Sequence, residues 1–264
     1  MLTELGASHA VLITPELARY IEQQEADETH MRLHLQQFGT LLVATLPSFK
    51  VRSLPLVDIQ QLAEHCSGIS HLILDLRLND GWSGSVVSEV ASLFLPPDTP
   101  LFRVKDRAGF RLAHPWIVST FPETENLDHE REVAAILEHH YVEYRTKANP
   151  LTHYSGPIII LLDQSCYSCG ELFVQAMKEH SNALIVGQPS RGFVLAANDY
   201  DVGEGYRLML PFAEMRSGKG VLLEGTGVEP HLSLEMAGLD TLAALKVLEE
   251  KALIPSSFHP EASS

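Results

Sequence analysis

The chain has 264 residues, enough for one large core or two small ones at about 150 residues per domain. Hydrophobic residues at 45% and charged residues at 20% are ordinary globular values, which exclude a disordered, collagen-like or disulfide-scaffold chain. Nineteen Lys and Arg against 34 Asp and Glu give a net charge of −15, and such a surface repels phosphate backbones and anionic lipid heads, so nucleic acid is not an expected partner.

No apolar run reaches the roughly 18 to 20 residues of a membrane span, so none is expected. The opening MLTELGASHAVLITPEL carries Glu4 and Glu16 and no basic n-region, and does not read as a signal peptide. The chain as written is therefore expected in the cytoplasm, and in the envelope or outside the cell if a preceding segment is missing. That opening also resembles the tail of a helix entered midway. Three cysteines, Cys66, Cys166 and Cys169, are odd in number and too few for a disulfide framework.

From Thr14 to Gln37 the chain is rich in helix formers behind a Thr-Pro start, and helix is expected for most of the segment 1–37. GTLLVATLPSF (Gly39 to Phe49) reads as a strand, and LPLVDIQQLAEHCSG as a helix whose 3.6-residue apolar spacing stops at Gly68. HLILDLRLNDGWSGS is a buried strand running into a Gly-rich turn, with SVVSEVASLFL a helix behind it. The segment 96–154 reads as an insertion, a lid or an oligomer contact, with a helix in the amphipathic stretch DHEREVAAILEHHYVEYR. GPIIILLDQSCYSCGELFVQAMKEHSNALIVGQPSRG then repeats strand, polar turn, helix (about Cys169 to Glu179) and strand (Ala183 to Gly187). A strand near Tyr206 to Pro211, the turn EGTGVEP and a helix from about Asp240 to Leu253 follow, and the tail 255–264 reads as frayed. Buried strands alternating with helices predict an α/β fold with parallel pairing, here in a single domain over 1–264.

The densest chemistry lies in LLDQSCYSCGELF, where a buried strand ends at Ser168 and the following helix aims its first N–H groups at that hydroxyl. An acyl-transfer nucleophile belongs at such a place, because the same amides can bind an oxyanion. Ser168 is equally readable as an N-cap, with Glu171 completing a capping box. Gly81 in LDLRLNDGWSGS permits close backbone approach and offers another N–H, or serves a plain strand-to-helix turn; no phosphate-loop spacing accompanies it. Among 13 histidines, His9 in ELGASHAVL sits in a small-residue turn able to hold an imidazole in a cleft. Cys166 and Cys169 form a CxxC with no second pair or spaced histidines, so neither a metal nor a cofactor is expected. His139 and His140 read as solvated.

In order along the chain, these segments resemble the tail-specific (C-terminal processing) serine peptidase family, in the branch similar to the tricorn protease core and the retinoid-binding repeats of the eye. LLVATLPSF resembles the family strand ending in Pro-Ser-Phe, LILDLRLNDGWSG its Asp-x-Arg-x-Asn-x-Gly-Gly motif, and SCYSCGE its Ser-x-x-Glu turn. LIVGQPSRG resembles Val-Gly-Glu-x-Thr-x-Gly, EGTGVEP the Glu-x-x-Gly-Val-x-Pro segment, and ELGASHA the Leu-x-Ser-His that carries the base. The resemblance implies a crotonase/ClpP-like spiral core and a serine peptidase acting on peptides or unfolded tails. It makes Ser168 the nucleophile, His9 the general base, Glu224 the carboxylate that orients it and Ser8 a hydroxyl connecting the two. The amides of Gly81 and Cys169 become the oxyanion hole. Apart from the resemblance, Trp82, beside that hole, and Arg191, a cation that could meet a substrate carboxylate, are read as substrate-binding residues. Arg77 is a further cation that could meet a substrate carboxylate.

Departures from the pattern are informative. The lysine that serves as base in the other branch is replaced by Phe193, which excludes a Ser-Lys dyad there, and the second Gly of Asn-x-Gly-Gly is Trp82. Gln188 and Ser190 stand for the usual Glu and Thr, and too few residues separate His9 from the Pro-Ser-Phe strand to hold a PDZ module. A rival implied by the same resemblance is a non-catalytic binding module for an apolar ligand or peptide. A crotonase-like acyl-CoA enzyme would need basic residues for the CoA phosphates, against the acidic composition. The sequence leaves oligomeric state open.

Overall fold

A computed structural model describes residues 8–26, 31–118, 129–148 and 154–255. In chain order its elements are β1 (Val11–Ile13), α1 (Pro15–Ala26), β2 (His34–Phe38), β3 (Leu41–Thr45), α2 (Leu56–His65), β4 (His71–Asp75) and α3 (Gly84–Ala91). Next come β5 (Pro100–Asp106), β6 (Trp116–Val118), α4 (His129–His139), β7 (Tyr141–Arg145), β8 (Ile158–Leu162), α5 (Cys169–His180) and β9 (Leu184–Gly187). The hairpin β10 (Leu195–Gly203) and β11 (Tyr206–Ser217), then β12 (Leu232–Ser233) and α6 (Thr241–Glu250), complete the chain.

Two six-stranded sheets result. The first runs β12-β9-β8-β4-β3-β2 and is parallel except for the β2–β3 hairpin. Its inner strands are continuous aliphatic runs because both faces are covered. Leu42, Leu74, Ile160 and Leu162 point into the main core with α2, α3 and α5. Val43, Ile73, Ile159 and Leu161 face the other way, onto Ala244, Leu245 and Leu248 of α6. The second sheet runs β1-β11-β5-β7-β6, with β10 along β11, and is antiparallel except for β6 on β7. It joins the same core through Phe102 and Tyr144, stacked at 4.5 Å. Gly84 at the start of α3 lies so close to these two rings that an added Cβ would stand 2.7 Å from one and 2.8 Å from the other.

The α/β class with parallel pairing is as expected, and three segments differ. Of the helix expected to Gln37, Pro15–Ala26 is helical, residues 27–30 lie outside the described residues, and His34–Phe38 is a strand antiparallel to β3. The two-residue link Gly39-Thr40 has Gly39 at φ +59°, as a tight hairpin requires, and Leu35 packs on the core. The segment 96–154 carries its helix, α4, but β5 and β7 on either side of it are interior strands of the second sheet rather than a lid. YVEYR, expected as helix, is β7, separated from α4 by His140 at φ +62°. β10 was not expected at all. Residues 1–7 and 256–264, and with them nearly all of the expected frayed tail, lie outside the described residues. Among the described residues no helix is long and apolar enough to cross a membrane.

Candidate active site

β4 and β8 are parallel neighbours, so the loops after them emerge side by side at the carboxyl edge of the first sheet. The loop after β8 turns sharply, with Asp163 Oδ1 accepting the Ser165 N–H at 2.8 Å, and delivers Ser168 at φ +58°, ψ −126° immediately before α5. These dihedrals lie in a region that residues other than glycine rarely adopt, and they are not the extended ones of an ordinary N-cap. The reach-back half of a capping box is nevertheless present: Glu171 Oε2 accepts the Ser168 N–H at 3.1 Å. Glu171 is fully buried and also accepts from Ser190 Oγ (2.6 Å), Gly192 N–H (2.7 Å) and Phe193 N–H (3.0 Å). Burial pushes its carboxyl up and these donors oppose the shift. One carboxylate thereby fixes the Ser168 turn to the loop 190–193. Ser190, in place of the family threonine, retains the hydroxyl this requires and also accepts the Val228 N–H at 2.7 Å.

On the far side of the same loop, Ser8, His9 and Glu224 come together. Ser8 Oγ donates to Glu224 Oε2 at 2.9 Å and meets His9 Nδ1 at 2.8 Å. The hydroxyl has one proton and gives it to the carboxylate, so its oxygen accepts from Nδ1–H, and the lone pair of the imidazole is left on Nε2. Glu224 is held in turn by the N–H groups of Ser8 (3.0 Å, to Oε1) and Val194 (2.7 Å, to Oε2). His9 has φ +64°, and its ring lies 6.3 Å from that of Phe193. Burial lowers its pKa below 6.5, partly offset by the negative charge of Glu224, so the ring is neutral at pH 7. The Phe193–Val194 peptide joins the two groups: the Phe193 carbonyl accepts the Ser168 N–H at 2.9 Å, and the next N–H holds Glu224.

The loop after β4 supplies the third wall. Gly81, at φ +78°, has no room for a side chain: a Cβ there would lie 2.8 Å from Ser168 Cβ, 2.8 Å from Cys169 N and 2.9 Å from Tyr167 O. The Cys169 N–H, first of α5, donates to no acceptor among the described residues. The Gly81 N–H, expected as its companion in an oxyanion hole, instead donates to Asn79 Oδ1 at 2.9 Å, because Asn79-Asp80-Gly81 closes as a local side-chain turn. Asn79 is fully buried and anchors that turn through Nδ2 to the Leu46 carbonyl at 2.6 Å. Trp82 has φ +102°, its indole N–H donates to Asp80 at 3.1 Å, and Lys50 Nζ stands 4.3 Å from its ring centroid.

Arg191 lies between the rings of Tyr167 and Phe193 (5.5 and 5.3 Å) and borders a cleft of about 430 Å³ with Asp163, Gln164, Gln188 and Glu235. Arg77 does not reach a substrate surface: it is buried, paired with Asp75 at 2.6 Å, and bonded to the carbonyls of Met236 and Leu239. Cys166 and Cys169 are both buried, and burial pushes their thiols up. His139 stacks on Trp116 at 4.2 Å and His140 Nδ1 meets Asp106 at 2.7 Å, so both are engaged rather than merely solvated. Asn79 and the loop 190–194 were visible in the sequence only as members of matched motifs, and no role was read for Asn79 or for the Ser190 hydroxyl.

The chain is similar to several known proteins. A protein of Chlamydia pneumoniae is 26% identical over 101 residues, which is 36% of this chain and 16% of that one. The photosystem II D1 C-terminal processing protease superposes with a TM-score of 0.57 at 21% identity, over 79% of this chain and 46% of that one. Mature CPAF complexed with lactacystin gives 0.59 at 17% identity, over 83% and 53%. These likenesses show a shared fold, and the chain spans only about half or less of each relative. The family model for peptidase family S41 matches residues 40–234, a span that takes in the Gly81 turn, Ser168 and Glu224 and leaves out Ser8 and His9. The chain belongs to peptidase family S41.

Proposed function

We propose that this chain is a serine peptidase, one domain over 1–264, in which Ser168 is the nucleophile, His9 the general base and Ser8 the link from His9 to Glu224. The observation that carries this is the relay Glu224–Ser8–His9, with contacts of 2.9 and 2.8 Å, set across a single peptide unit from Ser168. His9 Nε2 takes the Ser168 proton as Oγ attacks the scissile carbonyl, and returns it to the leaving amine as the C–N bond breaks. Water then repeats the sequence on the acyl-enzyme. The Cys169 N–H, at the positive end of α5, meets the oxyanion in the space Gly81 leaves open; Gly81 itself adds a donor only if Asn79 releases its N–H.

The substrate is a peptide or an unfolded tail, cut internally or near its carboxyl end, with Trp82 and Arg191 along its path. The test is labelling with a fluorophosphonate probe, which reports an activated serine without a known substrate. Stoichiometric labelling that disappears in Ser168→Ala and His9→Ala is the expected result. A folded wild-type protein that does not label removes the peptidase assignment and leaves the binding module, a role the engaged Gly81 N–H would suit.

A further inference from the structure

α3 begins directly behind the turn of Gly81 and Trp82, and its first turn is closed by a side chain from a remote part of the chain. Glu132 of α4, 6% exposed, accepts from Ser83 Oγ (2.6 Å) and the Ser85 N–H (3.0 Å) through Oε1 and from the Gly84 N–H (3.0 Å) through Oε2. Ser83 Oγ in turn accepts the Val86 N–H at 3.2 Å. A helix with Ser83 already at its N-cap does not need a second, buried carboxylate to form. The residue just before Ser83 is Trp82, at φ +102°, a conformation that persists in a non-glycine residue only when its surroundings over-determine it.

The anchors on either side of Trp82 are unequal. On the upstream side, the Gly81 carbonyl accepts the Phe49 N–H at 2.8 Å and the Gly81 N–H is held by Asn79 at 2.9 Å. Downstream, the backbone bond from the Ser83 N–H to the Phe49 carbonyl is longer, at 3.4 Å. The short contacts on that side come from Glu132. Trp82 touches the nucleophile turn itself, since its carbonyl accepts from Cys169 Sγ at 3.0 Å.

We infer that Glu132 is a positioning residue for the proposed acyl-transfer site: by clamping the first turn of α3 it holds the strained Gly81–Ser83 turn against Ser168 and Cys169. The inference rests on the serine-peptidase assignment above. Glu132 does not touch substrate. It couples α4 and the second sheet to the geometry of the oxyanion side.

The test is the rate of fluorophosphonate labelling, resolved into its limiting rate and half-saturation, for the wild type, Glu132→Gln, Glu132→Ala, and Glu132→Ala combined with Trp82→Gly. Circular dichroism melts fix a working temperature at which every variant is folded. Glu132→Ala should lower the limiting rate about 10²-fold, the cost of a misplacement of about 1 Å, with little change in half-saturation. Glu132→Gln, which keeps one acceptor oxygen, should fall between. Glycine takes φ +102° without strain, so adding Trp82→Gly to Glu132→Ala should recover about tenfold or more of the lost rate.

Wild-type labelling rates in folded Glu132→Ala overturn the inference, as does a loss that follows melting temperature and is not relieved by Trp82→Gly. If Glu132→Ala does not fold, the same two comparisons are made from Glu132→Gln, alone and with Trp82→Gly. A folded wild type that does not label overturns the peptidase assignment itself, and is thereby distinguishable from failure of Glu132 alone.

Discussion

Replacing Ser8 by alanine removes one oxygen and two hydrogen bonds, to His9 Nδ1 at 2.8 Å and to Glu224 Oε2 at 2.9 Å. Glu224 would stay in place, because its remaining partners are the main-chain N–H groups of residue 8 and Val194, which the substitution leaves intact. The loss therefore falls on the imidazole: Nδ1–H has no acceptor, the ring is free to turn or to move its proton to Nε2, and the imidazolium formed during attack loses its link to the carboxylate. A hydrogen bond in a charge-bearing chain is worth about 1.5 to 3 kcal/mol, and at about 1.4 kcal/mol per factor of ten this predicts a fall in kcat of about 10- to 150-fold. Ser8 is half-buried, so unfolding stability should change by less than about 1 kcal/mol. The assay is the limiting rate of fluorophosphonate labelling beside a thermal melt. Labelling at the parental rate in Ser8→Ala would show that His9 does not work through Glu224.

Activity should depend on His9 with a definite sign. Burial lowers its pKa and Glu224 only partly restores it, so kcat/KM should rise with pH, reach half its maximum below 6.5 and be level through neutrality; a midpoint at or above 6.5 contradicts this environment. Gly81→Ala should abolish labelling and cost about 1 to 3 kcal/mol of stability, because a methyl group there meets Ser168 Cβ and Cys169 N at 2.8 Å from a backbone at φ +78°. Parental activity in Gly81→Ala would mean that the turn does not pack on the nucleophile as described.

The sequence was most readable where burial is complete. β8 and the strands beside it are apolar on both faces, and α5 follows the polar turn at the expected residue. It was least readable where tertiary pairing overrides weak local preference. His34–Phe38 contains two glutamines and a histidine with no strong strand preference, and becomes β2 because Gly39 folds it back on β3. β10 runs through Asn198, Asp199, Asp201 and Gly203, poor strand formers held by a long pairing with β11. The charges of Arg103, Lys105 and Glu143 hide β5 and β7, whose buried faces are Phe102, Val104, Val142 and Tyr144. At the site, Ser168 and His9 were legible from local context, while Ser8 and Glu224 were visible only through the motif resemblance. The reach of Glu132 to α3 is a contact that no local pattern announces.

The two halves of the site are held by different means, and this bears on how the catalytic geometry survives. Ser168 is fixed from the core: β8 lies between two parallel neighbours, and Glu171 is buried with four donors. His9 is fixed from the surface, by three residues of β1 at the edge of the second sheet, with Val11 and Leu12 exposed, and by the Ser8–Glu224 bonds. Of the three β1 residues only Ile13 is buried, so among the described residues hydrogen bonds to one carboxylate are a main hold on the base. That carboxylate is itself positioned by Val194 N–H, in the loop that Glu171 fixes from the nucleophile side. The loop 190–194 is thus the structural link between a rigid nucleophile and a base from another part of the chain, and the substitution at Ser190 keeps the hydroxyl that this link uses, because Ser190 Oγ donates to Glu171.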